Sequence, residues 1–354
     1  MHIIINKNGI GVVLGNILRN HLKCLECNNG NQTWSENFIE CSSCGKKTKI
    51  KNGIPRYVDG TYHSNFGLQW NKFSTVQLDS FNGSDESEKR LLTQSKLCPD
   101  DFYGKTILEV GAGNGRFTEV FLKYGATVLA VDYSSAIDAN WRNHKKSVEE
   151  GHLLLIQGDL FNLPLKESSF DIVFCYGVIQ HTGNNQRAIL ELSKFPKKKG
   201  RLLMDIYSTS IKDFNPLIYV IRPFFSLLKV DDKRRLEIVE SFVGKTFPIQ
   251  LKILRRLHKK KGLLKLLRYV VNRSPNSVYG INLFLDGKID IDCAYKWSVM
   301  DTYDAWAPKH DHPVSKSKWV RLVSELKNQG YQVDDIDVSG QGHTAVLSRV
   351  VTII

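Results

Sequence analysis

No run of about 18 apolar residues, the length that a helix needs to cross a bilayer, occurs in the chain. We therefore expect no transmembrane helix in its 354 residues. The segment 10–18 is mildly apolar, but it lacks a basic leader and a small-residue cleavage site. We interpret it as a short packing element rather than a secretory signal.

Acidic residues are few, with 36 Asp and Glu against 49 Lys and Arg, and the net charge is +13. Much of this charge is concentrated in one segment, because eight basic residues and no acid lie between residues 251 and 270. A protein that binds nucleic acid over its whole surface would be basic more uniformly. The eight residues are Lys252, Arg255, Arg256, Lys259, Lys260, Lys261, Lys265 and Arg268.

The seven cysteines are an odd number and point to a reducing compartment. Four of them form two pairs, Cys24-x-x-Cys27 and Cys41-x-x-Cys44, a spacing typical of a zinc ribbon. Such closed four-cysteine sites are structural, so we expect no catalytic role for the metal. A ribbon that carries no metal is the alternative. The other three are expected to be buried small apolar residues: Cys98, Cys175 and Cys293.

From residue 105 the pattern alternates short apolar strands with helices, which predicts a parallel sheet covered on both faces. Strands are expected at 106–110, 127–131, 153–157, 170–176 and 201–207, with helices at 85–97, 116–124 and 135–150. A helix at 315–328 and strands at 331–338 and 344–351 follow a mostly helical, basic insertion. The last two strands flank Gly340 and Gly342, and so tight a turn predicts antiparallel pairing.

The predicted fold is therefore α/β, a Rossmann-like sheet of seven strands whose last strand is antiparallel. The expected organisation has five parts: a zinc-ribbon-like segment at 1–58, a connecting and covering segment at 59–100, the nucleotide-binding core at 101–210, a helical insertion on the acceptor side at 211–313, and a helix with two strands completing the core at 314–354.

A glycine-rich loop follows the first core strand. After Glu109 and Val110 the chain continues Gly111-Ala-Gly113-Asn-Gly115 and then enters a helix. Glycines let the backbone approach a ligand, and the free N–H groups of the helix start face it. The dinucleotide pattern G-x-G-x-x-G requires a glycine where Arg116 stands, which argues against a nicotinamide cofactor.

Asp132 ends the second strand and Asp159 the third, so two carboxylates lie at the edge of the sheet that carries the loop. With these acids, the loop resembles motif I of the class I S-adenosylmethionine-dependent methyltransferases. The resemblance implies that Asp132 binds the ribose hydroxyls of S-adenosylmethionine and that Asp159 binds the adenine amino group. The other cofactor-binding residues implied are Glu109, Gly111, Ala112, Gly113, Gly115, Tyr133, Gly158, Leu160 and Tyr176.

The resemblance extends over most of residues 22–350. The segments Phe-Gly-Leu-Gln-Trp-Asn at 66–71 and Asp-Thr-Tyr-Asp-Ala-Trp-Ala-Pro-Lys-His-Asp-His-Pro at 301–313 are similar to a bacterial methyltransferase group that carries an N-terminal ribbon. Gln69 and Trp70 are expected to cover the methionine part of the cofactor, with an ordinary core tryptophan as the alternative.

Methyl transfer to a hydroxyl needs a base, and several residues are candidates for the acceptor side. His181 follows the fourth strand at the catalytic edge of the sheet. His310 lies in the late segment together with His312, where an acid–base role is preferred over a metal pair because no third ligand is apparent. Tyr303 and Asp304 are candidates to hydrogen-bond the acceptor.

The expected function is methyl transfer to an oxygen or nitrogen of a small molecule, a glycan or a lipid-linked intermediate, with structural zinc. An RNA methyltransferase that uses the ribbon for recognition and a non-catalytic interaction module stay open as alternatives. Apolar residues recur every three or four positions within 251–271, which indicates either a solvated helix face or contact with an anionic membrane. The expected location is the cytoplasm, with peripheral membrane contact as a further option.

Overall fold

The computed structural model describes residues 17–58, 64–209, 215–308, 310–338 and 342–350. Most of the segment 10–18 and the predicted turn at Gly340 lie outside these residues. The strands are β1 (Gln32–Trp34), β2 (Phe38–Cys41), β3 (Lys47–Lys51), β4 (Ile54–Arg56), β5 (Thr106–Val110), β6 (Thr127–Asp132), β7 (Leu153–Gln157), β8 (Phe170–Cys175), β9 (Pro196–Tyr207), β10 (Tyr331–Asp337) and β11 (Gly342–Arg349). The α-helices are α1 (Ser64–Lys72), α2 (Asp79–Asn82), α3 (Glu86–Ser95), α4 (Arg116–Lys123), α5 (Ile137–Asn143), α6 (Lys145–Glu149), α7 (Asn185–Leu192), α8 (Pro216–Leu227), α9 (Asp232–Leu257), α10 (Leu263–Val271), α11 (Tyr279–Leu285), α12 (Ile291–Trp306) and α13 (Lys316–Glu325).

The strands form one sheet in the order β1-β2-β3-β4-β7-β6-β5-β8-β9-β11-β10. Strands β5 to β9 pair in parallel, whereas β11 pairs antiparallel with both β9 and β10. The seven expected strands and the antiparallel last strand are present. The expected number of strands is wrong, because the described sheet has eleven strands and the four additional ones belong to the N-terminal ribbon.

The ribbon joins the edge of the core sheet through β4, where Arg56 pairs with Gln157 of β7. The Arg56 guanidinium donates to both carboxylate oxygens of Asp138, at 2.5 and 3.2 Å, and to the Gln157 side-chain oxygen at 2.9 Å. Gln157 in turn donates to the carbonyl of Tyr133 at 3.0 Å. A bidentate arginine–carboxylate pair is geometrically specific, so the ribbon is held in one orientation beside the β6–α5 loop.

Helices cover both faces of the sheet, as buried parallel strands require. One face packs against α7 and α13, and Trp319 is fully buried there. The other face packs against α3, α4 and α5, around Phe117 and Phe121. The helix expected at 135–150 is interrupted at His144, whose ring Nδ1 lies 2.9 Å from the Asn140 side-chain oxygen and whose backbone leaves the helical conformation.

The insertion consists of α8 to α12 in the described residues and has its own core. Trp297, Tyr303 and Trp306 of α12 are buried there. Phe73 and Val76 of the connecting segment pack into the same cluster, so this segment links the helical unit to the sheet. The domain boundaries themselves stay a prediction. No helix in the described part of the chain is both long and apolar enough to cross a bilayer.

Candidate active site

A cavity of about 1350 Å³ lies at the carboxyl ends of the parallel strands. The end of each strand contributes to its wall: Val110 from β5, Asp132 from β6, Gly158 after β7, Tyr176 after β8 and Tyr207 from β9. Helices α1, α3 and α12 supply other parts of the wall. The topology of an open parallel sheet places ligand sites at this edge, because loops from neighbouring strands separate there.

The glycine loop forms the floor of this cavity. Gly111 and Gly113 both have positive φ angles, +78° and +53°, which side chains rarely adopt. A Cβ on Gly111 would lie 2.1 Å from a methyl group of Val178, and one on Gly113 would lie 3.7 Å from the Trp70 ring. Gly111, Ala112 and Gly113 all line the cavity, as expected.

Asp132 is held at the cavity wall by backbone and side-chain donors. One carboxylate oxygen accepts from the Gly113 N–H at 2.9 Å, and the other accepts from the Ser134 N–H at 2.8 Å and its hydroxyl at 2.7 Å. Burial raises the pKa of Asp132, and these donors oppose the rise. Each oxygen keeps acceptor capacity for a further donor, as a ribose hydroxyl would supply.

The next two strand ends add the remaining walls of the nucleotide end. Tyr133, Gly158, Asp159 and Leu160 line the cavity. The Asp159 carboxylate accepts from the Phe161 N–H at 2.9 Å, which fixes the side chain beside the short turn after β7. Tyr176 also lines the cavity, and its buried hydroxyl has no hydrogen-bond partner among the described residues. A buried donor without a partner is the kind of group that a ligand satisfies.

Gln69 and Trp70 of α1 line the cavity near the glycine loop, and their contact with the methionine part of the cofactor stays a prediction. The Gln69 amide donates to the carbonyl of Met300 at 3.3 Å, and its side-chain oxygen has no partner among the described residues. The contact joins α1 to α12, so the cover over the loop is anchored on the insertion.

Two residues of the predicted cofactor set do not line the cavity. Glu109 lies beneath the loop, where its carboxylate accepts from the Thr118 hydroxyl at 2.5 Å and burial raises its pKa to about 8. Gly115 faces His144 and Asn140, which leave no space for a Cβ. Glu109 and Gly115 therefore support the glycine loop, and their direct contact with the cofactor stays a prediction.

His181 lies in the cavity wall and is 8% exposed. Its ring Nδ1 is 2.9 Å from the carbonyl oxygen of His310. Since a carbonyl can only accept, Nδ1 carries the hydrogen and the neutral ring has its lone pair on Nε2. The ring is also enclosed by Phe66 and Tyr207, at centroid distances of 5.3 and 5.7 Å. His181 therefore lies in the cavity wall with its Nδ1 held by the His310 carbonyl, and its role as a base stays a prediction.

The structure does not place Tyr303 and His310 in the cavity wall with His181. Tyr303 is fully buried in the insertion core, and its hydroxyl donates to the Asp232 carbonyl at 3.3 Å. His310 contributes its backbone carbonyl to His181, and its ring lies 5.7 Å from that of His312. Neither Tyr303 nor His310 is among the residues that line the cavity, and their catalytic roles stay a prediction.

Several charged residues of the cavity were not expected from the sequence. Arg90 of α3 forms an ion pair with Asp205 of β9 at 2.6 Å. Asp205 is the one charged residue in the apolar run 202–207, and this was the available signal. Arg116 lines the cavity with hydrogen bonds to Ser87 and Gln77 but forms no ion pair with a described carboxylate. Burial, reinforced by the neighbouring Arg90, lowers the pKa of Arg116 to about 10.

Two aspartates of α12, Asp301 and Asp304, also line the cavity. Burial raises the pKa of Asp301 to about 7, and the charge of Asp304 adds to the rise. Burial is also the main cause that raises the pKa of Asp304. The wall near His181 is thus rich in groups that bind hydroxyl hydrogens.

The four ribbon cysteines form a separate cluster whose Sγ atoms all lie within 4.8 Å of one another. Cys24 and Cys44 are 3.6 Å apart, and Cys27 and Cys41 are 3.5 Å apart. Four thiolates at about 2.3 Å from a tetrahedral zinc would be about 3.8 Å apart. Each knuckle is closed by an N–H to carbonyl bond of 2.9 Å, from Asn28 to Cys24 and from Gly45 to Cys41. The donor set and its geometry fit zinc.

Comparison with known proteins agrees with the site geometry. Residues 108–204 match the family model described as a methyltransferase domain. The ubiquinone biosynthesis O-methyltransferase of Coxiella burnetii (strain RSA 493 / Nine Mile phase I) is 30% identical over 118 residues, which are 33% of this chain and 49% of that protein. The demethylmenaquinone methyltransferase of Thermobifida fusca (strain YX) is 28% identical over 121 residues, which are 34% of this chain and 51% of that protein.

The chain spans about half the length of these two relatives. Among solved structures, magnesium protoporphyrin IX methyltransferase from Synechocystis PCC 6803 with bound SAH aligns with a TM-score of 0.38 at 12% identity, over 80% of this chain and 84% of that one. The family match begins in β5 and ends in β9, so it contains the glycine loop, Asp132 and Asp159. The resemblance to a methyltransferase drawn from these residues is confirmed, and residues 108–204 of the chain match a methyltransferase domain.

Proposed function

We propose that the protein transfers a methyl group from S-adenosylmethionine to a hydroxyl oxygen of a small-molecule, glycan or lipid-linked acceptor, with His181 as the general base. Transfer to a nitrogen is the variant that the sequence also allows. The observation that carries the proposal is the bond from His181 Nδ1 to the His310 carbonyl, because it leaves Nε2 as the proton acceptor in the same cavity as Asp132.

The donor end of the cavity fits the cofactor. Asp132 would hold the ribose, Asp159 and Leu160 would contact the adenine, and Gly111 to Gly113 would lie against the methionine part, covered by Trp70. The unpartnered Tyr176 hydroxyl and the glycine cradle support this fit. When bound, S-adenosylmethionine supplies a methyl group already activated by its positive sulfur, so the protein mainly has to position the reactants and exclude water.

The acceptor end lies around His181, Asp301 and Asp304. In the proposed step His181 Nε2 receives the proton of the acceptor hydroxyl, and the His310 carbonyl keeps the ring in the required tautomer. General-base catalysis of this kind contributes roughly 10²–10⁴-fold to a rate. The nearby aspartates would orient a polar acceptor by accepting its other hydroxyl hydrogens.

The relatives support a small-molecule acceptor in general terms. The names of the Coxiella and Thermobifida proteins concern ubiquinone and menaquinone. We propose no quinone for this chain on that basis, since the match to each relative covers only about a third of this chain, 33% and 34%.

We also propose that the ribbon holds structural zinc. Two backbone N–H groups, of Cys44 and Ser43, lower the pKa of the Cys41 thiol to about 6, which favours the thiolate that binds metal. The ribbon lies against the core through Arg56 and Gln157, and its expected role is to support the nucleotide end of the cavity from outside.

Mass spectrometry with a methyl-labelled donor tests the proposed function. A cell extract is incubated with the purified protein and S-adenosylmethionine carrying a deuterated methyl group, with the His181→Ala variant as control. A metabolite that gains the labelled methyl with the wild-type protein only is the expected result. Binding of S-adenosylmethionine without any labelled small molecule would contradict the proposal, and label found in RNA would favour the RNA alternative.

A further inference from the structure

Helix α8 exposes an apolar stripe to solvent. Leu217, Val220, Phe224 and Leu227 follow one another at intervals of three or four residues, so they lie on one side of the helix. They are 45%, 59%, 70% and 74% exposed. The other side of α8, with Ile218, Ile221 and Phe225, already packs into the insertion core. The stripe is therefore not part of the insertion core, and contiguous exposed apolar surface of this kind marks an interaction site.

Helix α10 and the segment before it carry further exposed apolar and basic residues. In this segment the exposed large apolar side chains are Ile253, Leu264, Leu266, Leu267, Tyr269 and Val270. Seven basic side chains are exposed among them, and none forms an ion pair with a described carboxylate: Lys252, Arg255, Arg256, Lys259, Lys260, Lys261 and Lys265. We call α8 and residues 251–271 together the basic apolar surface.

The basic apolar surface borders the cavity that contains His181. The Asn215 side chain, at the start of α8, donates to the Ser274 carbonyl at 2.8 Å, just beyond the end of α10. Asn215, Ile218, Asn272 and Ser274 all line the cavity. The cavity therefore reaches the point where the start of α8 contacts the chain just beyond α10.

Helix α8 is also tied to the wall near His181. Arg222 forms an ion pair with Asp311 at 2.5 Å and donates two bonds to the Ala305 carbonyl, at 2.6 and 3.0 Å. Its side chain is directed inward, opposite to Phe224 and Leu227. The exposed stripe is thus held in a fixed position relative to the acceptor end.

We propose that the basic apolar surface binds an anionic lipid bilayer, and that the acceptor is a membrane-anchored amphiphile whose polar head enters the cavity while its apolar part stays in the bilayer. The inference rests on the proposed function and adds the class of the acceptor. Short helices that combine large apolar side chains with Lys and Arg lie in the interface of anionic membranes, with their apolar face buried about 5–10 Å.

Charge and composition favour a bilayer over other occupants. A second copy of the chain would bring the same basic segment against itself, and like charges oppose association. An acidic protein would match Lys259, Lys260 and Lys261 but would leave the uncharged stripe of α8 without a partner. A bilayer with anionic headgroups matches both the basic segment and the apolar stripe, since the headgroups attract the basic residues and the acyl chains bury Phe224 and Leu227.

Vesicle flotation with the full chain tests the inference. We expect the protein to float with vesicles of phosphatidylcholine containing about a third phosphatidylglycerol and not with phosphatidylcholine alone. Bound protein should fall at least fivefold for Phe224→Ser/Leu227→Ser and for Lys260→Glu/Lys261→Glu. The matched control is Lys145→Glu/Lys146→Glu, which makes the same change of charge at exposed lysines of the sheet domain and should bind like the wild type.

Four results would overturn the inference. The first is no flotation with anionic vesicles at low ionic strength. The second is binding that the stripe variant leaves unchanged. The third is equal binding to soluble polyglutamate, which would indicate a general polyanion site. The fourth is a dimer, seen by light scattering, that the same variants dissociate. S-adenosylmethionine binding is measured by calorimetry on each preparation, so failure of the membrane inference is separated from failure of the methyltransferase proposal.

Discussion

Replacement of Asp132 by asparagine tests the assignment of the donor site most directly. The carboxylate accepts from the Gly113 N–H through one oxygen and from Ser134 through the other, and both oxygens face the cavity wall. Asp132→Asn keeps the size of the side chain but removes the charge and one of the two acceptor oxygens. The amide nitrogen cannot accept from Gly113 or from a ribose hydroxyl.

The magnitude follows from the bonds that are lost. Two charge-assisted hydrogen bonds to the ribose contribute about 1.5–3 kcal/mol each, and the amide oxygen recovers about 1 kcal/mol as a neutral acceptor. We therefore expect a loss of about 2–5 kcal/mol, which corresponds to a Kd for S-adenosylhomocysteine that is roughly 30- to 4000-fold higher. Isothermal titration calorimetry measures this change directly.

A ligand comparison separates ribose binding from damage to the loop. In competition against S-adenosylhomocysteine, the wild type should prefer adenosine to 2′,3′-dideoxyadenosine, and Asp132→Asn should lose most of this preference. Asp171→Asn is the matched control. Asp171 also accepts from a backbone N–H, that of Thr106, but it lies at the amino end of β8, whereas the cavity lies at the carboxyl ends of the strands. An unchanged preference in Asp132→Asn, or a Kd within threefold of the wild type, would refute the ribose assignment.

The remaining predictions concern the base, the cavity cation, the ribbon and a buried acid. His181→Ala should lower the transfer rate roughly 10²–10⁴-fold at unchanged S-adenosylmethionine affinity, and equal losses in rate and affinity would contradict a base role. If Arg116 binds the carboxylate of S-adenosylmethionine, Arg116→Met should weaken binding of that ligand roughly tenfold or more. Binding of 5′-methylthioadenosine, which lacks the carboxylate, should stay unchanged, and similar losses for both ligands would exclude this role of Arg116. Elemental analysis should find one zinc per wild-type chain and none in Cys41→Ser, whose melting temperature should fall; equal metal content would contradict the ribbon assignment. The pKa of Glu109 is raised from its ordinary 4.5 to about 8, so its contribution to stability is complete below about pH 4.5 and is lost as the pH rises towards 8. In urea unfolding, Glu109→Gln should therefore lose less free energy of unfolding than the wild type between about pH 5 and 8, and parallel losses would refute the raised pKa.

The sequence by itself determined the features that depend on neighbouring residues. Strand and helix periodicity placed β5 to β8 and α4 because side-chain alternation is a local property. The glycine loop and Asp132 could be recognised because the turn requires glycine and the carboxylate must stand at a strand end. The cysteine spacing predicted the four-sulfur cluster, since each knuckle closes within a few residues.

Only the tertiary structure decided what distant segments form together. The eleven-stranded sheet depends on one pairing between Arg56 and Gln157, which are a hundred residues apart, and no local pattern encodes such a contact. The same holds for the acceptor end. The late segment was expected to supply His310 and Tyr303 to the site, but packing buries Tyr303 in the insertion core, and it is the His310 carbonyl that contacts the ring of His181. Cavity walls are built by packing of remote elements, so local sequence indicates which residues can react and the fold decides which of them meet.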